Sequence, residues 1–414
     1  MSLSSNRRMR AGLMLMLCFA VFTSCARSQG SGSQREPRKF RFVSGHSARN
    51  IPFQEDDGHI FLQVRINNSA RLWFGLDTGA TRSSIDQRVA QSLGLKSAGS
   101  QQVGGAGGYE EASIFNGVSI KLPGVELVDQ TVWGLPLEFL PPATGRRIDG
   151  IIGYELFKNF VVDIDYAGLL INLHDPTKYD YRGSGKSVPL KVQPDGAIYV
   201  QARLNVAGRE PLEGEFVIDT GGNGSLMLAR TFVEQHRLLE AVKPTIPAGG
   251  GGVGGPIQIV FGRIKSLQFG DFVFNSPLTG LVKAGEIADA GKAGNIGGKC
   301  LRRFRIIFEY SRGRMTLEPN AYFALPDEFD MSGVALAGEG PDLSQIKVLR
   351  VRPNSPASEA GLLIQDLIEA VDGQPIRELA RIKQLFRQDG REYLLTVKRA
   401  EQRLQLKIKL RRLI

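Results

Sequence analysis

The sequence has 414 residues, 42% of them hydrophobic, and its 52 Lys and Arg against 42 Asp and Glu give a formal net charge of +10. This length allows two or three domains with hydrophobic cores. The charge lies at the two ends, because residues 1–50 contribute +8 and residues 332–414 contribute +5, which leaves −3 for the middle. A basic isoelectric point of this origin argues against a nucleic-acid-binding protein, so no nucleic-acid partner is predicted.

The N-terminus has the features of an export signal. Arginines precede the apolar stretch 11–24, which is too short to span a bilayer as a helix but suits the apolar part of a secretory signal. Cys25 then resembles the lipid-modified cysteine of bacterial lipoproteins, while Ser24 and Ala26 beside it would also suit an ordinary signal peptidase. We predict residues 1–25 as the signal of an exported protein, which would face the periplasm or be anchored to a membrane at the cell surface.

Residues 26–50 are predicted to form a flexible tether, because residues 28–41 are polar and rich in Gly and Ser. With Cys18 inside the signal and Cys25 acylated, Cys300 is the last of the three cysteines. An exported chain with one unpaired thiol is not built on disulfides, and Cys300 is predicted to be a small buried residue.

The middle of the chain contains an internal duplication. FLQVRIN (61–67) recurs as YVQARLN (199–205) at an offset of 138 residues, and FGLDTGAT (74–81) recurs as FVIDTGGN (216–223) at an offset of 142. Residues 151–166 match residues 295–310 at an offset of 144. Three matched blocks in one order predict two similar lobes, which we place at residues 51–185 and 186–325.

Each lobe is predicted to be mainly β structure. Polar and apolar residues alternate in short runs between Gly and Pro, as in 257–274, which is typical of twisted strands and hairpins. Helical periodicity is confined to two short segments, 85–95 and 228–239.

One carboxylate follows an apolar strand in each lobe, at Asp77 and at Asp219. A pseudo-two-fold arrangement of the lobes would bring the two together, and two close carboxylates share a proton and titrate as a pair. Such a pair suits hydrolysis of an amide by water, since the ionised member can take a proton from the water while the protonated member bonds the carbonyl oxygen.

The segments DTGA (77–80), DTGG (219–222), IIG (151–153) and NIG (295–297) resemble the retropepsin and pepsin class of aspartic proteases. More closely, the chain resembles bacterial two-lobed retropepsin-like proteins that carry a PDZ domain. The resemblance implies a bilobal pseudo-two-fold fold with Asp77 and Asp219 as the catalytic pair. It also implies that Thr78 and Thr220 interlock across the lobe boundary, and that Gly79 and Gly221 let the two turns approach closely.

The sequence departs from this family after each Asp-Thr-Gly, where pepsin-like enzymes have a hydroxyl residue that bonds the carboxylate. Ala80 and Gly222 occupy these positions. Without those bonds the pair is expected to be less acidic, and activity is expected to peak at mildly acidic to neutral pH.

Two glycine-rich runs occur at matching places in the lobes, residues 103–112 and 248–257. Neither has the Lys-Ser/Thr of a phosphate-binding loop. In the resembling family this region forms the flap that closes over the peptide, and the open alternative is a plain flexible turn. Tyr109 would touch substrate or serve in packing.

Other candidate chemistry is sparse. The four histidines, His46, His59, His174 and His236, show no metal-ligand spacing and no pairing with a nucleophile, so neither a metal nor a cofactor is predicted. The carboxylates of Asp163 and Asp165 are interpreted as parts of a strand and a turn.

The C-terminal part, residues 332–414, resembles the PDZ domains of exported bacterial proteases through residues 348–376. The loop and strand that would receive the C-terminal carboxylate of a peptide are Gly333, Val334, Ala335 and Leu336. The alternative is a PDZ domain that only packs on the lobes.

Together these features predict an exported aspartic endopeptidase with peptide or protein substrates, a C-terminal peptide ligand for the PDZ domain, and membrane attachment through a lipid anchor. The alternative is a non-catalytic peptide-binding lipoprotein that keeps the protease fold.

Overall fold

The computed structural model describes residues 39–284 and 291–414, together with the backbone of two short strands, β1 (Leu17–Cys18) and β2 (Val21–Phe22). The predicted lipidation site Cys25 and most of the predicted signal and tether lie outside the described residues. Strands predominate in the described chain and its helices are short, as the alternating sequence pattern predicted.

The first lobe contains eleven strands and three helices among the described residues. The strands are β3 (Phe40–Phe42), β4 (Ser47–Asp56), β5 (His59–Ile66), β6 (Leu72–Leu76), β7 (Ser84–Asp86), β8 (Ser100–Gly105), β9 (Gly108–Leu122), β10 (Val125–Leu135), β11 (Gly150–Ile152), β12 (Val161–Asp165) and β13 (Leu170–His174). The helices are α1 (Gln87–Ser92), α2 (Leu140–Thr144) and α3 (Tyr154–Asn159).

The second lobe repeats this plan, with the long strands β9 and β10 of the first lobe each divided into two shorter strands. Its strands are β14 (Lys186–Pro189), β15 (Lys191–Val192), β16 (Ile198–Asn205), β17 (Leu212–Asp219), β18 (Leu226–Leu228), β19 (Ile246–Gly252), β20 (Gly255–Arg263), β21 (Ser266–Phe269), β22 (Phe272–Asn275), β23 (Leu278–Ala284), β24 (Gly294–Gly297), β25 (Phe304–Glu309) and β26 (Arg314–Pro319). Its helices are α4 (Arg230–Gln235), α5 (Leu238–Ala241), α6 (Gly298–Leu301) and a 3-10 turn (Tyr310–Arg312).

The two lobes have the same strand order. In the first lobe the sheet runs β5-β6-β11-β7-β10-β9-β8, and in the second it runs β16-β17-β24-β18-β23-β20-β19. The hairpin β21-β22 pairs with β16, just as the outer part of the hairpin β9-β10 pairs with β5 in the first lobe. The sequence duplication is therefore a duplication of fold, and equivalent residues occupy equivalent places in the two lobes.

A shared sheet joins the lobes. β12 of the first lobe pairs antiparallel with β25 of the second, and Ile164 lies opposite Ile306. β13 and β4 continue this sheet on one side, and β26 and β14 continue it on the other. One hydrophobic core runs through both lobes, so burial of apolar surface fixes their relative placement.

The tether predicted over residues 26–50 is wrong for its last part, because the fold begins earlier. β3 pairs with β10, and β4, which pairs with β13, starts at Ser47. Phe40 and Phe42 contact Phe160, with ring centroids 4.6 and 5.5 Å apart. Aromatic burial outweighs the polar composition of this segment.

Both predicted helical segments contain helix, although each is shorter than its pattern. Residues 85–95 form α1, which Asp86 caps by accepting from the N–H of Arg88 at 3.0 Å. Residues 228–239 are divided between α4 and α5, because Arg237 adopts a left-handed conformation with φ of 46°.

The predicted PDZ domain forms a separate sheet with its own core. Its strands are β27 (Val334–Glu339), β28 (Gln345–Val351), β29 (Leu367–Val371), β30 (Gln374–Pro375), β31 (Glu392–Arg399) and β32 (Gln402–Lys409), and its helices are α7 (Pro356–Glu359) and α8 (Leu379–Leu385). β27 lies at the edge of this sheet, where α2 of the first lobe and α8 of the PDZ domain lie beside it.

Candidate active site

The two Asp-Thr-Gly turns lie at the ends of equivalent strands. Asp77 follows β6, and its N–H donates to the carbonyl oxygen of Ile152 at 2.9 Å. Asp219 is the last residue of β17 and lies beside Gly297 of β24. The two Ile-Gly segments therefore run parallel to the Asp-bearing strands. Each carboxyl group lies where its strand reaches the boundary between the lobes.

Thr78 and Thr220 join the two turns across this boundary. The Thr78 hydroxyl donates to the carbonyl oxygen of Ile218 at 2.6 Å and accepts from the N–H of Thr220 at 3.0 Å. The Thr220 hydroxyl donates to the carbonyl oxygen of Leu76 at 2.9 Å and accepts from the N–H of Thr78 at 3.0 Å. These groups are buried, so leaving any of the bonds unmade is costly, and the two turns are held as one unit.

Both carboxyl groups are fully buried, with 0% of each residue exposed. The N–H of Gly79 donates to Oδ1 of Asp77 at 2.7 Å, and the N–H of Gly221 donates to Oδ1 of Asp219 at 3.0 Å. Gly221 also lies against the opposite carboxyl group, since a Cβ on it would be 2.3 Å from Cγ of Asp77. Glycine at this position allows the two turns to approach.

The surroundings of the two carboxyl groups affect their pKa values differently. Burial, and then the charge of Asp219, raise the pKa of Asp77 well above its usual range. Burial also raises the pKa of Asp219, but hydrogen bonds, first that from Asn295, oppose this effect. The arrangement therefore favours one shared proton that resides on Asp77 while Asp219 is ionised.

Asn295 is a site residue that the sequence pattern did not reveal. Its Nδ2 donates to Oδ2 of Asp219 at 2.8 Å. It lies in β24 opposite Val217 of β17, and the equivalent residue in the first lobe is the apolar Ile151. The sequence feature that could have identified Asn295 is that a polar residue stands where the other repeat has a buried aliphatic residue. Asn295 thus supplies a donor in a site where Gly222 offers no hydroxyl.

The two glycine-rich runs form hairpins, β8-β9 and β19-β20, rather than loops that lead into helices. Their tips meet, and the N–H of Gly107 donates to the carbonyl oxygen of Val253 at 2.9 Å. A Cβ on Gly107 would lie 1.9 Å from the carbonyl oxygen of Gly255, so the contact requires a small residue. Tyr109 is exposed beside one tip.

The edges of both hairpins pair with further extended backbone. β1 runs parallel to β19, with Leu17 opposite Gly251, and β2 runs antiparallel to β8, with Val21 opposite Gly105. Pairing through the backbone does not depend on side chains, so the hairpins can accept an extended chain of varied sequence.

The residues predicted to bind a peptide in the PDZ domain face the lobes. Val334, Ala335 and Leu336 line a cavity of about 90 Å³ that Asp57 and Lys299 close from the lobe side. The amide of Gly333, which precedes β27, is already bonded to Oδ2 of Asp330 at 2.6 Å. On the other side of the groove, Nζ of Lys383 in α8 donates to the carbonyl oxygen of Ala143 in α2 at 3.2 Å.

Asp163, Asp165 and Cys300, which were predicted to have structural and not catalytic roles, lie in structural surroundings. Asp163 lies in β12 and forms an ion pair across the lobes with Arg305 at 2.9 Å. Asp165 accepts from the N–H of Ala167 and of Gly168 in the turn that follows β12. Cys300 is buried, and burial raises the pKa of its thiol.

Within residues 39–284 and 291–414, no group of His, Cys, Asp and Glu is arranged to hold a metal ion. The helices of the described chain are also too short and too polar for any of them to cross a membrane.

Comparisons with known proteins match two parts of the chain. A family model for aspartyl proteases matches residues 62–156, which include Asp77, and a model for PDZ domains matches residues 347–399. A Synechocystis sp. protein named as a serine protease, HhoA, is 39% identical over 70 residues, which make up 16% of this chain and 18% of that protein. The solved PDZ domain of HtrA3, bound to a phage-derived ligand (FGRWV), is 26% identical with a TM-score of 0.18, and the match covers 20% of this chain and 84% of that domain. By the two family models, the chain carries an aspartyl-protease-like lobe and a C-terminal PDZ domain.

Proposed function

We propose that this protein is an aspartic endopeptidase in which Asp77 and Asp219 form the catalytic pair. The observation that carries the proposal is the burial of both carboxyl groups at the lobe boundary, where the reciprocal bonds of Thr78 and Thr220 hold their turns together. Two carboxyl groups in such a place share a proton, and this is the state that hydrolysis by water uses.

The proposed chemistry assigns one role to each carboxyl group. Ionised Asp219 accepts a proton from water, and the oxygen of that water attacks the carbonyl carbon of the peptide bond. Protonated Asp77 gives its proton to the carbonyl oxygen, so the intermediate carries two hydroxyl groups on carbon. Its collapse returns a proton to Asp77, and the proton held by Asp219 moves to the leaving amine. Water is the nucleophile, so this route needs neither a metal nor a cofactor.

The hairpins and the PDZ domain have separate proposed roles. The glycine-tipped hairpins β8-β9 and β19-β20 would close over an extended peptide and exclude water. The PDZ domain would bind a peptide or protein tail between β27 and α8. In the described state this groove faces the lobes, so such a ligand would have to move α2 or the whole PDZ domain.

The function is tested by incubating the purified protein with a mixed peptide library from about pH 3 to about pH 8 and sequencing the products. Cleavage within the peptides that an active-site serine reagent does not affect would support an aspartic endopeptidase. Absence of cleavage at every pH would favour the non-catalytic peptide-binding lipoprotein. Cleavage abolished by the serine reagent would reject the aspartic mechanism and favour serine-type chemistry, as in the name of the Synechocystis protein.

Replacing Asn295 by alanine should move the acid limb of the pH–rate profile to higher pH by about one unit. The bond from Asn295 favours the ionised form of Asp219, so its removal raises the pKa of Asp219. More of Asp219 is then protonated at a given acidic pH, and activity is lost from the acidic side first. The alkaline limb should change less, because it reports loss of the proton on Asp77.

The matched control is Asn116→Ala, which removes an exposed asparagine bonded to Thr131 on the first lobe. Its profile should follow that of the natural protein. An acid limb that is the same for Asn295→Ala and the natural protein would show that the Asn295 bond does not control Asp219.

We further propose that the protein is exported and anchored through Cys25, which rests on the N-terminal sequence. In a bacterial host, Cys25→Ala should release the protein from the membrane fraction, and the natural protein should gain the mass of a lipid on its N-terminal cysteine. A natural protein without that mass, found in the soluble exported fraction, would indicate cleavage by an ordinary signal peptidase.

A further inference from the structure

The turn between β4 and β5 reaches from the first lobe to both other parts of the molecule. Gly58 in this turn has φ of +95° and packs on the start of α6, where a Cβ on it would lie 2.8 Å from the backbone nitrogen of Lys299. This close approach brings the preceding residue, Asp57, to the junction of the first lobe, the second lobe and the PDZ domain. The side chain of Asp57 is only 14% exposed there.

Three side chains from other elements converge on the carboxylate of Asp57. Nη2 of Arg387, which follows α8 in the PDZ domain, donates to Oδ1 at 2.6 Å, and Nζ of Lys299 lies 3.1 Å from the same oxygen. Nδ2 of Asn223 donates to Oδ2 at 3.4 Å. Burial alone would raise the pKa of Asp57, but Arg387 and Lys299 outweigh it and hold the pKa well below its usual range. Asp57 is therefore an ionised carboxylate, and two cations compensate its burial.

Of these partners, Asn223 belongs to the loop that carries Asp219, and Lys299 packs directly on that loop. Asn223 follows the second Asp-Thr-Gly-Gly immediately. The N–H of Gly298 donates to the carbonyl oxygen of Gly222 at 2.6 Å, and the N–H of Lys299 donates to that of Gly224 at 3.2 Å. Asp57 thus holds both the side chain at the end of this loop and the helix on which the loop rests.

The first lobe holds its own catalytic loop differently. The residue equivalent to Lys299 is Glu155, whose Oε2 accepts from the N–H and the hydroxyl of Ser83 in the same lobe, each at 2.7 Å. The backbone hydrogen bond from Gly298 to Gly222 has a counterpart in the first lobe, where the N–H of Tyr154 donates to the carbonyl oxygen of Ala80 at 3.0 Å. Apart from the Thr78–Thr220 bonds that join both loops, the first loop is therefore fixed from within its lobe, whereas the second also depends on a residue of the other lobe and on a cation of the PDZ domain.

We propose that the PDZ domain completes the active site, because Arg387 fixes Asp57 and Asp57 positions the loop that carries Asp219 through Asn223 and Lys299. Arg387 and Asp57 are positioning residues, since neither touches the reacting atoms. This inference rests on the proposed catalytic pair and adds a structural role for the PDZ domain that does not require it to bind a ligand.

Arg387→Ala should lower kcat about tenfold and leave KM unchanged, because the second loop loses part of its support while the hairpins that hold the peptide are untouched. Arg387→Lys keeps the positive charge and should retain most of the kcat that Arg387→Ala loses. Asp57→Asn should lower kcat by a similar factor, and the double variant Asp57→Asn with Arg387→Ala should be little worse than either one, since both remove the same contact.

The matched control is Arg403→Ala, which removes an arginine of the same domain that pairs with Glu369 at the surface and has a side chain 74% exposed. It makes the same change in net charge and should leave kcat unchanged. Circular dichroism and thermal unfolding establish that each variant is folded, and Asp57→Asn, which weakens the same contact from the other side, serves as the test should Arg387→Ala not fold.

Amide hydrogen exchange of residues 219–224 supplies a readout that does not depend on activity. Exchange in this segment should be faster in Arg387→Ala than in the natural protein and unchanged in Arg403→Ala. Equal exchange and equal kcat in Arg387→Ala and Arg403→Ala would overturn the inference, as would a change confined to KM. A natural protein without peptidase activity would reject the proposed function, and the exchange measurement would still support or overturn the link between Arg387 and this loop.

Discussion

Replacing either Asp77 or Asp219 by asparagine should lower kcat by at least about a thousandfold. Asparagine in place of Asp219 cannot accept the proton of the attacking water, and in place of Asp77 it cannot give a proton to the carbonyl oxygen. The measurement is kcat on a peptide identified in the library, across the pH range in which the natural protein is active. Both variants should be equally inactive, because one proton shared between two carboxyl groups needs both of them.

Both variants should also remain folded, so the loss can be assigned to chemistry. Asparagine has the shape of aspartate, and its Oδ1 can keep the bond from the N–H of Gly79 or of Gly221. Each variant has only one buried acidic group at this site, which lowers the free-energy cost of burying the pair. The melting temperature should therefore stay the same or rise. Asp129→Asn, at an exposed position paired with Lys39, is the control and should keep full activity. Substantial cleavage by Asp77→Asn or Asp219→Asn would rule out the proposed pair.

Thr220→Val should reduce the free energy of unfolding by about 2–4 kcal/mol, because two buried backbone groups lose their partners. The carbonyl oxygen of Leu76 would lose the Thr220 hydroxyl as its donor, and the N–H of Thr78 would lose it as its acceptor. Valine has the same shape as threonine, so packing is preserved and the loss reports the hydrogen bonds. Activity should fall as well, by about a hundredfold, since the same bonds set the distance between the two carboxyl groups.

Thr220→Ser is the matched control because it keeps the hydroxyl and removes only a methyl group. It should cost about 1 kcal/mol and retain most of the activity. Denaturant unfolding of both variants, together with kcat, separates the two effects. Equal stability of Thr220→Val and Thr220→Ser would mean that the interlock contributes little to holding the lobes together.

In the PDZ domain, the presence of a peptide-binding groove does not by itself make that groove accessible to a ligand. Its sequence identifies the domain, and residues 347–399 match a PDZ family model. Its edge strand β27 nevertheless lies against the lobes, where Val334 and Ala335 are buried. A ligand of this groove and the docked position of the domain would compete, so a peptide that binds the PDZ domain would be expected to weaken the contact between Arg387 and Asp57.

The features that depend on local pattern and on repetition could be predicted from the amino-acid sequence. The two copies of an apolar strand followed by Asp-Thr-Gly indicated two lobes with one carboxylate each, and the structure has the same strand order in both. The glycine runs indicated turns at matching places, which the structure shows as two hairpins. These signals are readable because alternation of apolar residues and the need for glycine act over a few neighbouring residues.

Features that depend on residues brought together from distant parts of the chain could not be predicted and became visible in the folded protein. The bond from Asn295 to Asp219 requires β24 to lie beside β17, and the pairing of Arg387 with Asp57 spans 330 residues of sequence. The strand Phe40–Phe42 was hidden in a polar segment because its burial comes from packing on Phe160. Such contacts leave no periodic pattern, since a hydrogen bond or ion pair is selected by the distance between folded elements and not by the neighbours of either residue.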